Sequence, residues 1–422
     1  MSDPAHPHTV GSLSGRALTT ARELRALSGR KLLVVLSYAL GRGGANRIDL
    51  YRWNDDCARP AAVGAYDFRG QAPHEFFLWQ DPGGARTLLF TAMFGSGRPD
   101  LRVIDATDPA NPRLAGSWSS PTGVLHSISL SPDGRRAYLS LWTGGLLVAD
   151  ASQFTTGQPD PQLSLLTTVG ARLAPPPGGN VHSAVQLPGK DLVLLTDERY
   201  PPACPYGPAR LADISDLAQP RAIGVLSSPE NDPATCRASP LGTYSSHNPT
   251  LVGDLALVTW YSSGLQVFDL ADPGHPKRLT EFRPSASEPG QRDPQLGATL
   301  AMTWSYPVVR DGLIYVADIN QGLYVLRYQG PHADDLARVA FAEGNSNLFA
   351  LTPAPSSSVA PAAAPAPVVS EQPRTAASPR PVAGAGRPWA AAPLMYVGLL
   401  LAAAAALGAV YILLRQRRRP VE

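Results

Sequence analysis

The stretch LQVFDLADPGHPKRLTEF, residues 265–282, joins two alternating apolar–polar runs through a turn rich in Asp and Pro. Close copies are LRVIDATDPANPRLAGSW (101–118) and LADISDLAQPRAIGVL (211–226), and degenerate ones are RIDLYRWNDDCARPAAVGAYDF (47–68), LLVADASQF (146–154) and LYVLRYQGP (323–331). Alternation with a period of two marks half-buried strands. The Asp closing the first run can accept a backbone amide two residues on, and each Pro fixes φ and stops a strand. With Trp53, Asp105, Asp150, Asp213, Asp269 and Arg327 taken as equivalent, the unit recurs every 45 to 63 residues. So long a period without helical patterning predicts an all-β chain folded as a β-propeller. In the fifth unit SHNPTLV, LALVTWY, LQVFDL and RLTEF supply four strands from axis to rim. Six copies predict six four-stranded blades, with seven as the alternative. Gly144-Gly145, Gly264 and Gly322 precede third strands, where a hairpin needs positive φ. The outer strand of the last blade would come from LARVAFA (336–342).

Composition agrees and excludes several functions. The 422 residues include 38 Gly and 43 Pro, an excess natural to many short strands joined by turns. Net charge is +2, from 36 basic and 34 acidic residues, so nothing favours a nucleic-acid partner. GRGG (41–44) lacks P-loop or dinucleotide spacing, no G-x-S-x-G elbow presents a serine nucleophile, and no CxxC pair marks a zinc site. Acidic loops such as DPANP lack the spacing of a calcium loop.

The repeats resemble the LVIVD-repeat proteins, predicted β-propellers of bacterial and archaeal surface proteins. The resemblance spans about residues 8–330 and is most specific in HEFFLWQDP, HSISLSPDGRRAYLSLWTGGLLVAD, SPENDPATC, YSSHNPTLVGDLALVTW and WSYPVVRDGLIYVADINQGLYVLRY. The opening HTVGSLSGRALTTARELRA is also similar to the start of such a propeller, which implies a whole first blade. Arg327 and Trp53 depart from the repeat where it has Asp. The resemblance implies a fold and a surface location, and no reaction.

Four units open their first strand with a His: His74, His126, His182 and His247, with Ser305 at the matching place in the sixth. In a propeller these residues would ring one mouth of the channel. Converging imidazoles suit a borderline metal such as Cu²⁺, Zn²⁺ or Fe²⁺, with Glu75 and Asp197-Glu198 as neighbouring carboxylates. Against this, H-x-x-x-H half-sites are absent, and a repeated polar residue can simply tie adjacent strands. Trp79, Trp142, Trp260, Tyr261 and Trp304 read as inter-blade core or channel lining. Cys204 and Cys236 lie in Pro-rich loops of one repeat, where a disulfide and a pair of free thiols are both open readings.

The propeller is expected over residues 1–350. An Ala/Pro/Ser-rich stretch, 351–388, reads as a disordered linker, and 389–414 as one transmembrane helix. Trp389 and Tyr411 suit its interfaces, and Arg415, Arg417, Arg418 and Arg419 in the tail 415–422 place the C-terminus in the cytoplasm. The propeller would then lie outside the membrane, yet MSDPAHPHTVGSLSGR holds no signal peptide. The export signal would lie upstream, or the chain would be tail-anchored with its bulk in the cytoplasm. The leading expectation is a membrane-anchored binding or interaction module. The alternative is a metal-dependent enzyme using the His residues at the channel mouth.

Overall fold

The computed structural model describes residues 3–351 except 14, 55, 96, 201–203, 233, 239–242, 286–300 and 341–349. The chain is an all-β, six-bladed β-propeller. Blade 1 comprises β1 (Thr19–Leu27), β2 (Leu32–Ala39), β3 (Arg47–Arg52) and β4 (Ala61–Asp67). Blade 2 comprises β5 (Glu75–Gln80), β6 (Thr87–Ala92), β7 (Leu101–Asp105) and β8 (Arg113–Trp118). In blade 3, β9 (Leu125–Leu130), β10 (Arg136–Leu141) and β11 (Gly145–Asp150) are followed by a short helix, α1 (Ser152–Thr156), before the two-residue β12 (Ser164–Leu165). Blade 4 is β13 (Asn180–Gln186), β14 (Leu192–Glu198), β15 (Ala209–Asp213) and β16 (Arg221–Leu226). Blade 5 is β17 (Pro249–Val252), β18 (Leu255–Thr259), β19 (Leu265–Asp269) and β20 (Lys277–Phe282). Among the described residues blade 6 has three strands, β21 (Val308–Arg310), β22 (Leu313–Asp318) and β23 (Gly322–Leu326).

Every blade is an antiparallel meander of consecutive strands, and the described residues form six blades, not seven. Among its described residues, 336–340, LARVAFA supplies no outer strand to the sixth sheet. Its first two residues belong to α2 (Ala333–Ala337), and β24 (Val339–Ala340) pairs instead with β25 (Ala350–Leu351). The equivalence in blade 1 also shifts by one residue. Trp53 donates its amide to Lys31, as Ala106 does to Thr87, so Arg52, not Trp53, occupies the Asp105 position.

The turn chemistry follows from the Asp residues. Asp105, Asp150, Asp213 and Asp269 accept the amides of Thr107, Ser152, Ser215 and Ala271 at 2.7–3.0 Å. Gly145, Gly264 and Gly322 take positive φ at the hairpins before β11, β19 and β23. Gly64 and Gly224 in fourth strands allow the next blade's Asp-Pro turn to approach, since a Cβ there would meet Pro109 O at 2.1 Å and Pro273 O at 2.2 Å.

Buried apolar clusters join blades 1 and 2, 2 and 3, 3 and 4, 4 and 5, and 5 and 6. Trp79 and Trp260 lie in this core. The remaining junction, between blades 6 and 1, is different: the Arg25 guanidinium of β1 lies 5.5 Å from the ring of Tyr306, just before β21. First strands therefore converge on a common channel.

Candidate metal centre

The first strands enter the channel in one register. The residues at their heads are Arg22, His74, His126, His182, His247 and Ser305, in blades 1 to 6. Arg22, His126 and His182 are each the unpaired residue of a β-bulge, where the ladder skips one position. A bulge re-aims its extra side chain, and here three blades use it at the same level. His74 and His247 reach that level just before their strands, with their amides bonded to Ala92 O and Thr259 O.

The four imidazoles form a contiguous arc. Ring centroids are 4.4 Å apart for His74–His126, 4.3 Å for His126–His182 and 3.7 Å for His182–His247. The hydrogen bonds dictate the tautomers. His126 Nδ1 donates to His182 O at 3.2 Å, and His247 Nδ1 donates to Trp304 O at 2.7 Å. Asn248 donates its amide to Trp304 O, so its Oδ1 accepts from Ser183 Oγ at 3.0 Å. Ser183 has then spent its proton, and His182 Nδ1 donates to it at 2.7 Å. A neutral imidazole carries one N–H, so these three rings present Nε2 as a bare acceptor. His74 Nε2 accepts from Arg22 at 3.2 Å and lies 2.9 Å from His126 Nε2. Two acceptor nitrogens therefore face each other at hydrogen-bond distance with no proton from either ring between them.

Burial holds all four imidazoles below their usual value, His247 at about 3, and the Arg22 charge adds to the effect on each. Two carboxyls join them. The ligand atoms of His74, Glu75 and His126 lie within 4.8 Å of one another, as do those of His126, His182 and Glu198. His247 packs against His182 with its ring tilted by 44°, but belongs to neither group. Glu198 Oε1 accepts the Tyr261 hydroxyl, while the buried Oε2 has no hydrogen-bond partner among the described residues. Burial pushes Glu198 up to about 7, against the hydrogen bond from Tyr261. Glu75 is raised to about 8 by burial and by Glu23. Asp197, one residue from Glu198, faces the other way along the strand and pairs with Arg210 (Nη2–Oδ1 2.8 Å).

Arg22 and Glu23 lie beside the centre without having been read from the sequence. Their signal was present: RELRAL (22–27) aligns with HEFFLW (74–79), placing Arg22 at a His position and Glu23 at that of Glu75. Trp142 stacks on His126 at 4.8 Å and Trp304 on His247 at 6.2 Å, so both line the channel and not the core. The cavity lined by the four His residues, Glu75, Glu198 and Trp304 measures about 540 Å³. Cys204 and Cys236 form a disulfide (S–S 2.01 Å, Cα–Cα 6.0 Å), tying the loop after β14 to that after β16, and Cys57 is free and exposed. No described helix is long and apolar enough to cross a membrane. Trp389, Tyr411, Arg415, Arg417, Arg418 and Arg419 lie outside the described residues.

No family model matches the chain, and no curated protein matches it. Solved structures do. The chain is similar to a periplasmic gluconolactonase of Pseudomonas aeruginosa, with a TM-score of 0.50 and 14% identity over 76% of this chain and 83% of that one. It is also similar to the C-terminal WD40 domain of Sif2, with a TM-score of 0.44 and 11% identity over 76% of this chain and 84% of that one. At such identities the likeness is one of fold. The resemblance drawn from the repeats thus stands as a six-bladed propeller, a fold that by itself names no activity.

Proposed function

We propose that the protein is a metal-dependent enzyme whose centre is a first-row transition ion held in the propeller channel. The observation that carries this reading is the orientation of the imidazoles. His126, His182 and His247 each give their Nδ1–H to a protein acceptor, which is how metal-binding histidines are usually held. His126 Nε2 is left 2.9 Å from His74 Nε2, and Glu198, whose Oε2 has no partner among the described residues, groups with His126 and His182. Imidazole with one or two carboxylates suits Zn²⁺, Cu²⁺ or Fe²⁺. Bound there, such an ion would polarise an oxygen or lower the pKa of a coordinated water. His126, shared by both ligand groups, is the central donor. The interaction-module reading rests on the propeller alone; the donor cluster favours the enzyme.

Membership of the LVIVD-repeat proteins and an anchored, extracytoplasmic placement belong to the same proposal. The first rests on the quoted motifs. The second rests on the apolar segment 389–414 and its following arginines, and the Cys204–Cys236 disulfide suits an oxidising compartment. Protease added to intact, protease-permeable cells should remove the propeller; full protection would refute the placement.

Metal analysis of the purified full chain tests the centre. About one transition ion per chain is expected, and it should be lost in the His126→Ala/His182→Ala variant that retains its circular dichroism. A wild-type protein that stays metal-free after exposure to Zn²⁺, Cu²⁺ and Fe²⁺ would overturn the reading.

A further inference from the structure

Above the imidazole layer the channel carries a second tier. Phe94 follows β6, Trp142 follows β10 and Tyr200 follows β14, each close behind the second strand of its blade. They form a continuous wall, with ring centroids 5.2 Å apart for Phe94–Trp142 and 6.1 Å for Trp142–Tyr200. Phe94 also touches His74 and His126, so the wall stands directly on the ligand arc. Trp304 flanks the other end of the arc, tilted 27° from His247. Phe94, Trp142 and Trp304 are half-buried and Tyr200 is 57% exposed, which leaves their faces partly open.

Arg22 stands at the same mouth. It is exposed and bonded through Nε to His74 O and through Nη2 to His74 Nε2, both neutral acceptors. Its charge is therefore held in place without being neutralised: none of the described carboxylates forms an ion pair with it. Glu23, its neighbour in sequence, is instead paired with the buried Arg25. A fixed guanidinium at a partly desolvated mouth favours a carboxylate, which it can bind through two parallel bonds. The flat ring faces beside it offer stacking area to a planar apolar body.

We propose that the channel mouth is a binding site for small aromatic carboxylates, with Arg22 holding the carboxylate and the Phe94–Trp142–Tyr200 wall stacking against the ring. This names the substrate class of the proposed metal centre and rests on that reading for its catalytic meaning, but the binding itself does not require the metal.

Benzoate is the probe, with benzamide as its uncharged isostere and acetate as the anion without a ring. Each is titrated against the purified full chain, metal-replete and metal-stripped, following tryptophan fluorescence and calorimetry. Benzoate should bind at least tenfold more tightly than benzamide or acetate in both preparations. Arg22→Gln should abolish that preference, and Trp142→Ala should weaken benzoate at least fivefold; Arg22 is exposed, and an unchanged melting temperature confirms that its variant is folded. Benzamide binding as tightly as benzoate, or no effect of Arg22→Gln, would overturn the proposal while leaving the metal centre standing. Arg22-dependent benzoate binding to a protein that takes up no metal would uphold this site and sink the enzyme reading instead.

Discussion

Two polar residues recur from blade to blade, an Asp at the end of the third strand and a His at the head of the first, and they serve opposite ends. Each Asp caps its own turn, as Asp213 does with Ser215 and Arg221, and Asp269 also faces a distant partner, His332 at 3.6 Å. Removing one would leave the other copies untouched. Each His depends on other blades: His126 bonds to blade 4, His247 to the segment before blade 6, and His182 through Ser183 to blade 5. Recurrence therefore means a local turn in one case and a shared site in the other. Position in the blade decides between them, because third-strand ends diverge toward the rim whereas first strands meet at the axis.

The sharpest break in this comparison is available at two adjacent acids. Asp197 neutralises Arg210 in the interior, so Asp197→Ala should strand a buried charge and cost about 3–5 kcal/mol of stability in urea denaturation. A loss below about 1 kcal/mol would show that the pair is not structural. Metal content per folded chain should stay unchanged.

Acidity separates the two classes next. In metal-free protein the imidazoles titrate below their unfolded value of about 6.5. The unfolded chain then binds more protons as pH falls under about 6.5, and stability is lost there at up to about 1.4 kcal/mol per imidazole per pH unit. Glu75 and Glu198, raised to about 8 and about 7, act in the opposite sense. Their contribution is complete below their unfolded value of about 4.3 and is lost as pH rises through 7 to 8. The melting temperature of the metal-free protein should therefore peak near pH 6–7, with the acid limb steeper because four groups outnumber two. A flat profile from pH 5 to 8 would contradict the buried cluster. Asp213, depressed to about 2 by Ser215 and Arg221, matters only below about pH 4.

Glu198→Gln sharpens the contrast with Asp197. It keeps the shape of the side chain and a carbonyl acceptor for Tyr261, so stability should hold within about 1 kcal/mol. Metal affinity, measured by chelator competition, should fall at least about tenfold, and unchanged affinity would remove Glu198 from the ligand set. The smallest effect belongs to the rim. Asp213→Ala should cost about 1 kcal/mol with no change in metal content; metal loss there would mean that the rim and the channel are not independent.

The propeller was legible because its evidence is local. Alternation, Asp-Pro turns and hairpin glycines each act within a few residues, so LQVFDLADPGHPKRLTEF carries nearly all it needs to form β19, its turn and β20. Blade 1 misled by one position because Trp53 follows Arg52 where the other copies end their strand on Asp, and only the ladder shows the offset. LARVAFA misled because its apolar pattern does not say which strand it will meet. In the centre, the four His residues were legible as a repeated position, but Arg22 was hidden by its change of residue type.

By itself, then, the sequence determined the repeat, the strands of blades 2 to 5 and the level at which the His residues enter, since all of these follow from side-chain periodicity and turn chemistry. Tertiary structure alone decided that His126 and His182 sit on bulges that aim them at one point. It also decided that Glu198 turns inward while Asp197 turns away, and that Arg22 completes the ring. The bulges and the Asp197–Arg210 pair form between neighbouring strands, but the meeting of these groups in the channel depends on contacts between residues about 50 or more positions apart, and a distance across the channel is not written in the spacing along the chain.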